Sequence, residues 1–210
     1  MWKQIIFYLE VLVFLATPVV LFMIYPHFFA ARYIFTVAGA IYCVARLVYH
    51  RSKFQDLGLL TLNFWPALRD LILPSFLMLI STFLIFKFLP SVFLSLILGH
   101  DPLPIDSLVE RLLVYFFIST PLQELIFRGY LTWRLEQVFS STHSIQTISI
   151  IIFTLAHIPF FSPLILLLTF IMGYVYIRNY LRYRNLYALI LSHSVVGSGI
   201  IMLYFLQSYI

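Results

Sequence analysis

Gln123, Glu124 and Arg128 occupy a stretch whose neighbours are those of a membrane interior. The run Leu112-Leu113-Val114-Tyr115-Phe116-Phe117-Ile118 precedes them. Two later apolar segments carry one histidine each: His157 after Phe153-Thr154-Leu155-Ala156, and His193 before Ser194-Val195-Val196-Gly197. An ionisable side chain in hydrocarbon costs roughly 2.5–3.5 kcal/mol on insertion scales, so such residues face the bundle interior and mark functional sites. Glu124 and Arg128 are spaced i, i+4, which places them on one helical face where they can pair. Pro121 frees a backbone carbonyl, a device common where a helix lines a cavity. Each group has a plain structural reading: an ion pair that fixes helix packing, a hydrogen-bonded core histidine at 157, and interhelical polar contacts at His193 between Ser192 and Ser194. Their conjunction on three spans points to chemistry. A carboxylate and two imidazoles are what water activation needs: a base for the proton, a group to protonate the leaving amine, and donors for the tetrahedral oxyanion.

The same three groups, Glu124, His157 and His193, would also make a His₂Glu zinc set. No His-Glu-x-x-His motif occurs, and a metal-bound Glu124 would leave no carboxylate base nearby, so the expectation is a site without cofactor or metal.

The elements that position these groups are membrane spans. The chain is 62% hydrophobic and 10% charged, with mean hydropathy +1.00, whereas a soluble domain carries roughly 25% charged residues. This is the composition of an all-α, polytopic helix bundle. About seven spans are expected, at 5–25, 33–49, 71–89, 109–127, 146–161, 163–180 and 186–206. The helix holding Gln123 and Glu124 is expected to run unbroken to Phe139 with a bend near Pro121. Glu10 interrupts the first apolar stretch and no small-residue cleavage site follows, so that stretch is expected to be retained. Residues 50–66, mixed in charge and then apolar with Trp65-Pro66, suit an interfacial elbow. Residues 91–98 are too short to cross. Asp101-Pro102-Leu103-Pro104-Ile105-Asp106 reads as a loop, with Ser107 as N-cap and Glu110 in the capping-box position. This divides the chain into N-terminal spans and elbow over 1–106 and a site-bearing region over 107–206. The lone Cys43 excludes an intrachain disulfide.

The net charge of +5 does not point to nucleic acid, because the basic residues lie at span ends. Seven spans place Lys3, Arg46, Arg51, Lys53, Arg69, Arg134, Arg178, Arg182 and Arg184 on one side, against Arg32, Lys87 and Arg111 on the other. The positive-inside rule then orients the N-terminus inward and the C-terminus outward.

At its polar residues the chain resembles the CPBP intramembrane endopeptidases, which include the CAAX prenyl proteases of the Rce1 type and the bacterial Abi proteins linked to bacteriocin self-immunity. That family's pattern is Glu-Glu-x-x-x-Arg, Phe-x-x-x-His and His-x-x-x-Asn on successive helices. Here it reads Gln123-Glu124-x-x-x-Arg128, Phe153-x-x-x-His157 and His193-x-x-x-Gly197, flanked by Thr120-Pro121 and Gly129-Tyr130-Leu131. The resemblance covers about 107–205. It implies an endopeptidase acting on a membrane-tethered peptide or protein near the bilayer surface. The implied location is the bacterial cytoplasmic membrane, or alternatively the endoplasmic reticulum membrane. It also implies that the first glutamate and first histidine activate water while the second histidine and the asparagine hold the oxyanion. Two positions depart from this pattern. Gln123 cannot take a proton at neutral pH, and Gly197 has no side chain. Either Glu124 takes the base role, with Gln123 as a donor and Ser194 or Ser198 replacing the asparagine, or the chain is a catalytically silent relative that binds a membrane partner or confers immunity. On the strict mapping, restoring glutamate at 123 and asparagine at 197 should raise activity.

Overall fold

A computed structural model describes residues 2–25, 31–51, 54–59, 61–97 and 108–207. The expected 101–106 loop and the Ser107 cap lie outside the described residues. Among those described, every regular element is helical. We number them α1 (2–24), α2 (Arg32–Tyr49), α3 (Phe64–Phe88), α4 (Pro90–Ile97), α5 (108–138), α6 (Thr142–Leu155), α7 (Pro163–Tyr183) and α8 (Leu186–Gln207). Single 3₁₀ turns form at Phe54–Leu57 and Ile158–Phe160.

Six of these helices are long and apolar enough to cross a membrane: α1, α2, α3, α6 with its 3₁₀ extension, α7 and α8. Large apolar side chains such as Ile34, Ile72, Phe88 and Phe117 are exposed on the outside of the bundle, as a hydrocarbon solvent requires. The chain is an integral, multi-pass membrane protein. The expected fourth span, within α5, is not among the six; Gln123, Glu124 and Arg128 dilute its apolar character. It is nonetheless helical from Leu108 to Val138. It is also the hub of the bundle, touched by α1, α2, α6, α7 and α8.

Two stretches of wider π-helix interrupt α5, at Tyr115–Ser119 and Leu125–Tyr130. The first ends at Thr120-Pro121, with Thr120 N–H bonded to the Tyr115 carbonyl. The same arrangement occurs in α1, where Leu12–Ala16 is π-helical and Thr17 N–H bonds to Leu12 O just before Pro18. Proline lacks an N–H, and its ring presses on the carbonyl four residues earlier. A wider turn immediately ahead relieves that pressure without breaking the helix. π turns of this kind are frequent at functional sites.

The segment expected as an interfacial elbow differs from the expectation. Phe64, Trp65 and Pro66 form the first turn of α3, so the spanning helix starts seven residues earlier than the expected 71. The polar part of the elbow docks on the α7–α8 junction. Leu186 N–H donates to Gly58 O at 2.8 Å, and Asn185 Nδ2 donates to Leu62 O at 2.8 Å. Gly58 has φ +78°, and a Cβ there would meet Arg184 O at 2.5 Å, so only glycine fits. Asn185 also caps α8 through Ala188 N–H. The short α4 packs on α3, α7 and α8, with Phe93 fully buried and Leu96 O accepting from Ser162 Oγ at 2.8 Å. The α-helix of the fifth expected span ends at Leu155, where Pro159 directs the chain into the 3₁₀ turn that carries the span on to Phe160.

Glu10 is more than an interruption of an apolar run. Its buried carboxylate accepts from Tyr42 Oη (2.8 Å), Tyr130 Oη (2.8 Å) and Arg134 Nε (2.7 Å), with Arg46 Nε at 3.4 Å. One acidic group thereby ties α1 to α2 and to the last turns of α5.

Candidate active site

The centre of α5 carries the polar groups. Glu124 and Arg128 are both fully buried, and Arg128 Nη1 donates to Glu124 Oε1 at 3.2 Å. The guanidinium lies 3.8 Å from the Phe153 ring centroid and 5.5 Å from that of Tyr176, where the ring faces attract a cation. Phe153, the aromatic of the second motif, is therefore the platform under Arg128. It also meets both histidine rings, its ring centroid lying 4.7 Å from that of His157 and 6.0 Å from that of His193.

Each histidine has one nitrogen committed. His157 Nδ1 is 2.7 Å from Phe153 O. A carbonyl only accepts, so Nδ1 carries the hydrogen, and Nε2 of the neutral ring is left with a lone pair. His193 Nδ1 is 2.7 Å from Glu124 Oε1, a carboxylate–imidazole pair of the kind that fixes a catalytic histidine's tautomer and orientation. The Tyr176 ring lies tilted beside that of His193, centroids 5.4 Å apart, and its hydroxyl accepts from Ser192 Oγ at 3.4 Å.

A cavity of about 840 Å³ opens beside these groups. Gln123, His157 and His193 line it, together with Tyr115 and Tyr176, and it continues between α1 and α2 past Phe14, Phe22 and Phe35. Glu124 and Arg128 do not line it; they stand behind His193. Gln123 Nε2 donates to Ser119 Oγ at 2.9 Å, while its Oε1 is buried without a hydrogen-bond partner. Of the expected site residues, Gln123, His157 and His193 thus share one cavity, with Glu124 and Arg128 forming the support layer.

Among the described residues no three histidine, cysteine, aspartate or glutamate side chains cluster as metal ligands. Glu124 and His193 spend their adjacent atoms on each other. The serines expected as replacements for the missing asparagine lie elsewhere. Ser194 Oγ donates to Phe116 O at 3.1 Å, and neither Ser194 nor Ser198 lines the cavity.

The family model described as type II CAAX prenyl endopeptidase Rce1-like matches residues 106–198. Over this segment the chain is similar to the Rce1-like family. The match starts just ahead of α5 and ends within α8, so it takes in all three motifs. Neither the curated proteins nor the solved structures gave a significant match to the chain.

Sequence reasoning overlooked Tyr115 and Tyr176. Both sit in apolar runs where an aromatic residue reads as ordinary packing. The one available signal was Gly197 itself, since a missing side chain beside a site needs something to fill its space.

Proposed function

We propose that this Rce1-like protein is an intramembrane endopeptidase that cleaves a membrane-tethered peptide by direct attack of water, with the base role moved from position 123 to histidine. The observation that carries this is the pair of committed Nδ1 atoms: each histidine keeps Nε2 for the cavity that Gln123 also lines. Water held in the cavity beside His157 attacks the scissile carbonyl carbon. Its proton passes to His157 Nε2 as the carbonyl electron pair moves onto oxygen. His193, doubly protonated and held by Glu124, donates Nε2–H to that oxyanion. Collapse breaks the C–N bond, and the proton on His157 goes to the leaving amine. Arg128 is a positioning residue, holding Glu124 toward His193. No metal takes part in this scheme. The apolar reach of the cavity past Phe14, Phe22 and Phe35 supports a substrate with a lipid-like or strongly apolar segment.

Purified protein in lipid vesicles, supplied with a quenched membrane-tethered peptide library, tests the scheme. The wild type should cut, unaffected by a zinc chelator, and His157→Gln should lower kcat by roughly 10²–10⁴-fold with its melting temperature retained. A specific observation favours a rival: both positions that depart from the family pattern, Gln123 and Gly197, touch the site. If the wild type is inert and Gln123→Glu cuts, the natural chain is a silent, partner-binding relative. Chelator-sensitive cleavage would replace the water-activation scheme with a metal one.

A further inference from the structure

Gly197 stands where the family pattern has an asparagine, and the structure supplies the reason no side chain is there. A Cβ built on Gly197 would overlap the Oη, Cζ and Cε1 atoms of Tyr115. The hydroxyl end of that tyrosine fills the space at the start of a 197 side chain. Tyr115 and Gly197 both line the cavity with His193. The tyrosine ring meets the His193 ring edge-on, with centroids 6.1 Å apart and an interplanar angle of 81°. Its backbone is fixed by the first π stretch of α5, whose closing bond runs from Thr120 N–H to Tyr115 O.

We propose, on the proteolytic reading above, that the Tyr115 hydroxyl is the second oxyanion donor, in the place left by the side chain absent at Gly197. A phenol can donate one hydrogen bond, and oxyanion holes accept tyrosine donors as readily as amides. The donor comes from α5 instead of α8, and glycine at 197 is the condition for it. His193 Nε2–H and Tyr115 Oη–H then flank the oxygen of the tetrahedral intermediate. Both protons remain on their donors, so no bond to Tyr115 forms or breaks. This predicts the opposite of the expectation that asparagine at 197 would raise activity: beside Tyr115 that side chain must displace the tyrosine ring.

The test is a double-mutant cycle on the full-length protein in vesicles, with kcat, KM and melting temperature measured for each variant. Tyr115→Phe keeps the ring and removes only the donor; it should lower kcat by roughly 10–10³-fold with KM and melting temperature near wild type. Gly197→Asn alone should lower both melting temperature and turnover. Combining it with Tyr115→Ala should restore turnover above that of Tyr115→Ala alone, the amide now donating. Wild-type kcat in Tyr115→Phe would overturn the role of Tyr115 and leave proteolysis standing, as would a loss confined to KM. A Gly197→Asn protein that melts and turns over like wild type would also overturn it. A wild type with no turnover on any substrate would overturn both readings together.

Discussion

Glu124 and Arg128 illustrate how a buried ion pair can be needed for a site without itself meeting substrate. Both are fully buried, and Glu124 Oε2 together with Arg128 Nε and Nη2 lacks a hydrogen-bond partner. The pair is therefore incompletely satisfied, and Phe153 makes up part of the difference as a cation–π platform. Removing only one partner should be costly. Glu124→Gln leaves Arg128 buried without its carboxylate, and about 3–5 kcal/mol of destabilisation is expected. It also replaces the carboxylate paired with His193 by a neutral amide, so turnover should be lost. The double variant Glu124→Gln, Arg128→Met separates these effects. Its melting temperature should recover toward wild type, because an uncharged pair needs no compensation, while cleavage stays absent. Recovery of cleavage along with stability would show that the carboxylate acts only through folding. The identities of these residues were legible from the sequence because charge inside an apolar run has few explanations. Their division into a cavity layer and a support layer was not legible, since adjacent positions 123 and 124 differ only by a rotation about the helix axis.

Among the elements, α1 is the one whose attachment is most informative. Over most of its length it presents apolar side chains to the outside, and composition alone would let it drift as a lipid-facing helix. Glu10 prevents this by accepting from Tyr42, Tyr130 and Arg134. Phe7 adds packing against Phe139 and the second core cluster with Leu131, Leu135, Ile145 and Ile152. Because α1 and α2 form one wall of the cavity, this clamp also sets the cavity's width. Glu10→Gln leaves Arg134, 2% exposed, without its carboxylate; destabilisation of about 3–5 kcal/mol is expected by the same reasoning as for Glu124. A thermal melt in detergent checks it, and a melting temperature within a degree or two of wild type would mean that α1 is held by apolar packing alone. The elbow ahead of α3 shows where sequence reading failed for elements. Phe64-Trp65-Pro66 carries the aromatic signature of an interface, yet proline is as well suited to a first helical turn as to a bend. Only the docking of Gly58 on the α7–α8 junction decides between them.

At the scale of the whole molecule, the contacts define two ends. Arg184 pairs with Glu136, Arg182 with Asp70, and Leu62 O with Asn185, which gathers the start of α3, the end of α5 and the α7–α8 junction at one end. The Phe7–Phe139 contact places the start of α1 there too. Ser162 and Leu96 meet at the opposite end, which the α1 C-terminal half reaches through the 158–160 turn. A helix of 31 residues at 1.5 Å rise is about 46 Å long, enough for α5 to run from one end to the other, as its contacts with five other helices suggest. Six helices meet the criterion for a span by apolar length; if α5 crosses with them, the two termini lie on opposite sides of the membrane. The first end holds Arg46, Arg51, Arg69, Arg134, Arg182 and Arg184, against Arg32, Lys87 and Arg111 at the other, so the positive-inside rule predicts a cytoplasmic location for it. A reporter fused after Ile210 should therefore behave as external, while tags inserted near Arg51 and Ser141 should behave as cytoplasmic. A cytoplasmic Ile210 fusion with both internal tags also cytoplasmic would mean that α8 re-enters without crossing. An external tag near Ser141 would mean that α5 does not cross, and the cavity would then have to be entered from the other side of the bilayer.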